Sequence, residues 1–207
     1  MPDSADSLAP SERERLLRLS ADYVLEHGVA GMTLRRLGQE IGTNNRMLLY
    51  YFGSKEELIL AALVELSGRY PVLTRAFTTM DDPDRPLRDR IVAVWEAVAA
   101  PENIPFHRVF FEVLGLAAHQ RGRFDVFLGA VSSDWRSQVS ASLRRDGVPA
   151  ATADALAREL VALWRGLQID LITSGDLAGT RAANAAAAAS VARQAAEAVV
   201  AAGAVGA

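Results

Sequence analysis

The chain has 207 residues, half of them hydrophobic, with no cysteine and a formal net charge of −3. That length carries one large or two small domains with ample core, and the missing thiols exclude disulfides and thiolate metal sites. No apolar run approaches the ~18 residues of a membrane span, and residues 1–10 lack the basic-then-apolar pattern of a signal peptide, so a cytoplasmic protein is expected. Residues 1–10, with Asp3 and Asp6, read as a disordered arm too acidic to enter a minor groove. Ser11-x-x-Glu14 then matches a capping box that opens a first helix. Leu17, Ala21, Val24 and Leu25 are its expected buried face, and Gly28 its stop. Val29 and Met32 read as core residues bridging to the next element.

The stretch Thr33–Lys55 organises the rest. Thr33 suits an N-cap, and Leu34, Leu37 and Ile41 recur at i, i+3 and i+7 as one buried stripe of a short helix. Gly42 ends that helix, because the backbone must reverse there with a positive φ that only glycine adopts cheaply. Thr43-Asn44-Asn45 offers caps for a second helix running through Arg46 to Tyr51. Leu48 and Phe52, at i and i+4, are its packing side. Asn44, Asn45, Arg46, Met47, Tyr50 and Tyr51 are left facing outward. Exposed Asn, Arg and Tyr on a short helix suit base edges and phosphates, and the pattern is a helix-turn-helix. The overall acidity does not oppose this, since residues 31–55 hold Arg35, Arg36, Arg46 and Lys55 against Glu40 alone.

These residues carry a resemblance to the DNA-binding domain of the TetR (tetracycline-repressor-like) family of bacterial transcriptional regulators. It rests on Thr33, the Leu34/Leu37/Ile41 stripe, Gly42, Leu48 and the run Tyr50-Tyr51-Phe52-Gly53-Ser54-Lys55-Glu56-Glu57-Leu58, and covers about residues 11–63. The sequence departs from the family pattern at Thr43, usually apolar there, and at Leu49, usually tyrosine. Asn44–Met47 is its own, so no operator is inherited from a relative. The resemblance implies a helix-turn-helix DNA-binding domain over 11–53, and a helical effector-binding and dimerisation domain over 54–207.

Ser54-x-x-Glu57 opens a fourth helix reaching toward Thr79, the expected sole link between head and body, with Pro71 bending or interrupting it. Asp81–Pro86 is a turn and helix start, followed by Leu87, Ile91, Val94, Trp95 and Val98 at helical spacing. Pro101 and Pro105 bracket a loop. Residues 106–119 form a helix apolar nearly all round, and Arg121-Gly122-Arg123 reads as a break. Phe124, Phe127, Leu128, Val131, Trp135, Val139 and Leu143 line the next helix. Leu156, Leu160, Leu163, Trp164, Leu167 and Leu171 line another, starting at Thr152. An alanine-rich helix begins near Thr180, with residues 203–207 fraying. No useful β-alternation occurs, so the chain is expected to be all-α with about nine helices.

Catalysis finds little support. His27, His107 and His119 are scattered, no phosphate loop or nucleophile elbow exists, and no metal or cofactor site is expected. For DNA, Asn45 and Arg46 are the candidate base readers. Thr33, Tyr50, Tyr51 and Lys55 are the candidate sugar-phosphate holders, and Asn44 completes the surface. Met47 is open between a thymine methyl and packing, and Arg35 and Arg36 between phosphate and solvent. Trp95, His107, Phe111, Trp135, Trp164 and Gln168 are candidates to line an effector pocket, although aromatics at helical spacing belong to cores more often than to pockets. Gln168 is the sharpest of them, polar between Leu167 and Leu171, because a buried polar group needs a partner. A mostly apolar effector, a near-palindromic operator and a homodimer through the last two helices follow as expectations. So does a repressor in the bacterial cytoplasm, nucleoid-associated when bound to its operator. The rival is a helical adaptor or architectural protein acting through a protein partner.

Overall fold

The computed structural model describes residues 11–205, without the side chains of 74, 75, 77 and 205. The arm expected at 1–10 lies outside the described residues. Among those described there are ten α-helices, one 3-10 turn at Pro101–Asn103 and no strand. The helices are α1 (Glu12–His27), α2 (Leu34–Glu40), α3 (Asn45–Phe52), α4 (Lys55–Gly68) and α5 (Pro71–Met80), then α6 (Leu87–Val98), α7 (Ile104–His119), α8 (Arg121–Arg145), α9 (Ala150–Ser174) and α10 (Leu177–Val205). No helix among the described residues is long and apolar enough to cross a membrane.

The tenth helix comes from Pro71. Its ring nitrogen has no hydrogen and its ring would clash with the carbonyl four residues back. So α4 stops at Gly68, and Pro71 becomes the first residue of α5, where the missing N–H costs nothing. Other boundaries move for local reasons. Pro105 is tolerated in the first turn of α7, which begins at Ile104. The break expected at Arg121–Arg123 falls instead at Gln120, and those three residues form the first turn of α8, where a lone Gly122 costs at most about 1 kcal/mol. α10 starts three residues before Thr180, where the Asp176 carboxylate accepts the Gly179 N–H at 2.8 Å. The buried face of α1 is Leu16, Ser20, Ala21, Tyr23 and Val24, rotated from the expected one so that Leu17 is only half-buried.

The chain divides into two compact units. Among the described residues, one takes 11–69 together with Arg108–Phe124, and the other Tyr70–His107 with 125–205. In the first unit α1 packs on α4, and α3 packs on both α2 and α4. The capping pattern at Ser11 is realised: Ser11 Oγ accepts the Glu14 N–H, and the Glu14 carboxylate accepts the Ser11 N–H. α4 is therefore not the only partner of the head, because most of α7 belongs to the same unit. The Glu112 carboxylate accepts the Ala30 N–H at 2.6 Å. Arg123 donates to Glu56 at 2.8 Å. Burial alone would raise the Glu56 pKa, but its own backbone N–H and the Arg123 guanidinium hold the carboxyl below its ordinary value.

In the second unit α6 packs on α5 and α10, and α9 on α10. The core joins Leu73, Met80, Ile91, Val94, Trp95, Val98, Val139, Leu143, Leu156, Leu160, Trp164 and Val191. Such burial, at roughly 25 cal/mol per Å² of apolar surface, is the main force holding these helices together. Polar groups inside it are mostly paired, as burial requires. Arg90 donates to the Met80 carbonyl at 2.9 Å and to Ser142 Oγ at 3.1 Å, and pairs with Asp146. Asn103 donates to the Ala97 carbonyl at 2.8 Å, which ties the 3-10 turn to the end of α6.

Candidate nucleic-acid interface

The helix-turn-helix is built by three local devices. Thr33 Oγ1 accepts the Arg36 N–H at 3.2 Å and starts α2. Gly42, at φ +74°, reverses the chain as the sequence demanded. Asn44 Oδ1 accepts the Met47 N–H at 3.0 Å and starts α3. A fourth device carried no weight in the sequence reading. Gly38 is buried in α2, and a Cβ there would lie 3.0 Å from the Thr43 carbonyl oxygen and 3.3 Å from Asn44 Cα. The turn thus closes directly on the α2 backbone, with the Thr43 N–H donating to the Gly38 carbonyl at 2.8 Å. Glycine inside a seven-residue helix is costly in propensity, and that cost is the signal that could have flagged it.

α3 is anchored by Leu48 and Phe52, 1% and 6% exposed. The Arg13 guanidinium lies over the Phe52 ring, 5.3 Å from its centroid, a cation–π contact that braces α3 from α1. With that side fixed, Asn44, Asn45, Arg46 and Tyr50 are exposed, Tyr50 at 77%, and Met47 and Tyr51 are half-buried. The Tyr50 and Tyr51 rings meet edge to face at 5.0 Å between centroids. Thr33 and Arg35 are exposed on α2 or its cap, and Lys55 is half-buried as the first residue of α4. Ser54 Oγ accepts the Glu57 N–H at 3.1 Å to cap that helix. All nine candidate DNA-binding residues therefore lie within the first unit, on α2, α3, their caps and the first residue of α4. Two of them, Thr33 and Asn44, spend their side-chain oxygens on capping, which leaves the Asn44 Nδ2 hydrogens as its outward donors.

The effector candidates are divided. Phe111 falls in the first unit and the other five in the second. Trp95 and Trp164 are fully buried in one core cluster, with Trp135 packed against it. Trp164 Nε1 donates to Asn184 Oδ1 at 3.0 Å, a bond between α9 and α10 that periodicity does not reveal. His107 Nε2 lies 2.8 Å from the Val98 carbonyl, which can only accept, so that nitrogen carries the proton. Burial lowers the His107 pKa below its ordinary 6.5, and the bond to Val98 only partly opposes this. Gln168 is 2% exposed, and Trp95 Nε1 is buried with no hydrogen-bond partner among the described residues. Two hollows of about 680 and 440 Å³ mark the surface of this unit, and neither is lined by any of the six candidates.

Residues 16–62 match the model of the tetR family of bacterial regulatory proteins. A curated relative, the HTH-type transcriptional repressor NicS of Pseudomonas putida, is 25% identical over 89 residues, 42% of this chain and 42% of NicS. The matched segment thus spans about two fifths of that relative's length. Among solved structures, the multidrug binding protein EbrR complexed with imidazole shares the fold at a TM-score of 0.63 and 22% identity, over 86% of this chain and 90% of that one. BioQ with its double-stranded DNA operator does so at a TM-score of 0.57 and 21% identity, over 87% of this chain and 99% of that one. Residues 16–62, with their capped helix-turn-helix, are thus similar to the tetR family of bacterial regulatory proteins, and the fold shared with these solved structures extends along most of the chain.

Proposed function

We propose that this chain is a transcriptional repressor that binds a near-palindromic operator as a homodimer and leaves it when a small, mostly apolar effector binds. The observation that carries the reading is the outward face of α3, where Asn45, Arg46 and Tyr50 stand exposed on a helix held from behind by Leu48 and Phe52. Asn45 and Arg46 present the donors that suit adenine and guanine edges. Thr33, Arg35, Tyr50, Tyr51 and Lys55 surround them as sugar-phosphate holders, and Met47 and the Asn44 amide complete the surface. The name of NicS supports repression, the BioQ complex supports an operator, and EbrR supports a small-molecule ligand.

Dimerisation is assigned to α9 and α10, whose exposed Ala162, Gly166, Ile169, Ala182, Ala186 and Ala189 allow close helix approach across a two-fold. The effector site is assigned to the second unit, near Trp95, His107, Trp135, Trp164 and Gln168, with Phe111 as the remaining candidate. A ligand there releases DNA only if it binds the released arrangement better than the bound one.

The test is a selection of genomic fragments by the purified protein. An inverted repeat with half-site centres about one turn of B-DNA apart is expected, along with a dimer in sedimentation. Absence of any enriched site, with a protein partner co-purifying, overturns the reading in favour of an adaptor. For the effector site, Gln168→Leu should weaken ligand-induced release while leaving operator affinity unchanged. A lost operator affinity or a large fall in melting temperature would instead mark Gln168 as a core residue.

A further inference from the structure

α8 and α9 are tied at two levels. Near the end of α8, Asp154 accepts from Ser140 Oγ at 2.6 Å and from Arg144 at 2.8 and 2.9 Å. Further back along α8, Arg165 donates to the Val131 carbonyl. Moving from 154 to 165 on one helix means moving from 144 to 131 on the other, so the two run antiparallel. Arg136, Ser140 and Arg144 form one ridge at i, i+4 and i+8, and Asp154 and Arg158, at i and i+4, form the facing one. Between them lies the hollow of about 680 Å³, within the ~300–1,000 Å³ typical of small-molecule sites.

The charges around it do not balance. Four guanidiniums, from Arg136, Arg144, Arg145 and Arg158, line the hollow against the single carboxylate of Asp154. Arg144 is paired with that carboxylate and Arg145 with Asp81. Arg136 and Arg158 make no ion pair or hydrogen bond among the described residues, and Arg136 acts only through space on the Asp154 carboxylate that Arg144 already holds. Arg165, half-buried beside them, gives one N–H to a backbone carbonyl and has no carboxylate. Burial, and then the charge of Arg136, pull the Arg165 pKa down. Arg136, half-buried, and Arg158, exposed, thus face the open hollow from opposite ridges without an ion pair, a charge that a bound anion would neutralise, and arginine's planar fork suits oxyanions.

We propose that the hollow between α8 and α9 is a binding site for a small, multiply charged oxyanion, a polycarboxylate or a phosphate, held chiefly by Arg136 and Arg158. None of the six effector candidates lines it, so it stands apart from the effector reading. The probes are citrate and inorganic phosphate, titrated calorimetrically into the full chain against sodium chloride of equal ionic strength. Saturable binding of one anion per chain by citrate, phosphate or both is expected, and the stronger of the two arms identifies the chemistry. Arg158→Gln, exposed in the single chain and one helical turn before Ala162 of the assigned dimer face, should weaken binding about tenfold, as loss of one charge-assisted contact does, with the dimer unchanged in sedimentation. The Arg136→Gln/Arg158→Gln pair should abolish it, while Arg193→Gln on α10 should change nothing. Heats no larger than those of chloride, or a double variant that binds like the wild type, would overturn the site.

Discussion

The Glu112 carboxylate accepts the Ala30 N–H at 2.6 Å across 82 residues of chain. It also occupies the space a side chain at Gly28 would need, since a Cβ there would lie 2.4 Å from Oε2. Gly28 itself sits at φ +70° as the C-cap of α1. The connection from α1 to α2 is thus held by a residue of α7, within the same unit. Glu112→Ala removes an anionic acceptor from a backbone donor and should destabilise the first unit by about 1–2 kcal/mol. Glu112→Gln, which keeps an oxygen, should lose less. Gly28→Ala combines a left-handed backbone with that close approach and should cost more than Glu112→Ala. Thermal melts of the three variants rank them, and a Gly28→Ala protein as stable as the wild type would refute the latch.

Gly38→Ala sets two opposed effects against each other. Alanine in place of glycine inside a helix is worth up to about 1 kcal/mol, but the new methyl meets backbone atoms at 3.0 and 3.3 Å that cannot step aside as a side-chain tip would. Overpacking costs about 1–3 kcal/mol. The balance is expected to be destabilising, with operator affinity falling more than stability because the turn that aims α3 is displaced. Equal or higher affinity for operator would show that the turn has slack.

Reading and holding should separate on the recognition surface. Arg46→Ala is expected to cost about 1–3 kcal/mol per half-site and to relax preference at one symmetric position. Lys55→Ala should weaken all duplexes alike and flatten the salt dependence by about one unit per lost phosphate contact. Binding to operator and scrambled duplex at several salt concentrations decides it. A uniform loss in Arg46→Ala would make Arg46 a phosphate clamp.

His107 gives the second unit a pH dependence. Its folded pKa lies below the ordinary 6.5, first because the ring is buried and in spite of its bond to Val98. Between the folded value and about 6.5 the unfolded chain binds more protons, so stability rises with pH in that window. The contribution is complete above about pH 6.5 and is lost as pH falls through the folded pKa. Melting temperature should therefore drop from pH 7 to pH 5, and His107→Gln should drop less over the same range. Parallel pH profiles for the two proteins would remove His107 as the cause.

Much of this was legible in the residues themselves. Ser11, Thr33 and Ser54 cap the helices they precede, Gly42 takes the positive φ its turn requires, and Leu48 with Phe52 marks the inner side of α3. Each is a local effect, decided within a turn or two of helix by hydrogen-bond geometry and apolar spacing. Local rules faltered where two of them competed, as at Pro71, which could kink one helix or begin another, and at Arg121–Arg123, where a glycine between arginines reads as a break but serves as a first turn. What only the tertiary structure decided are the pairings between residues distant in sequence. Glu112 on Ala30, Trp164 on Asn184, and the placing of Arg136, Arg144 and Arg158 around one hollow depend on which helices meet and in what rotation. Periodicity shows that a helix has an inner face, but every apolar stripe is compatible with every other, so it cannot say which polar residue at the edge of one stripe will face which partner on the next.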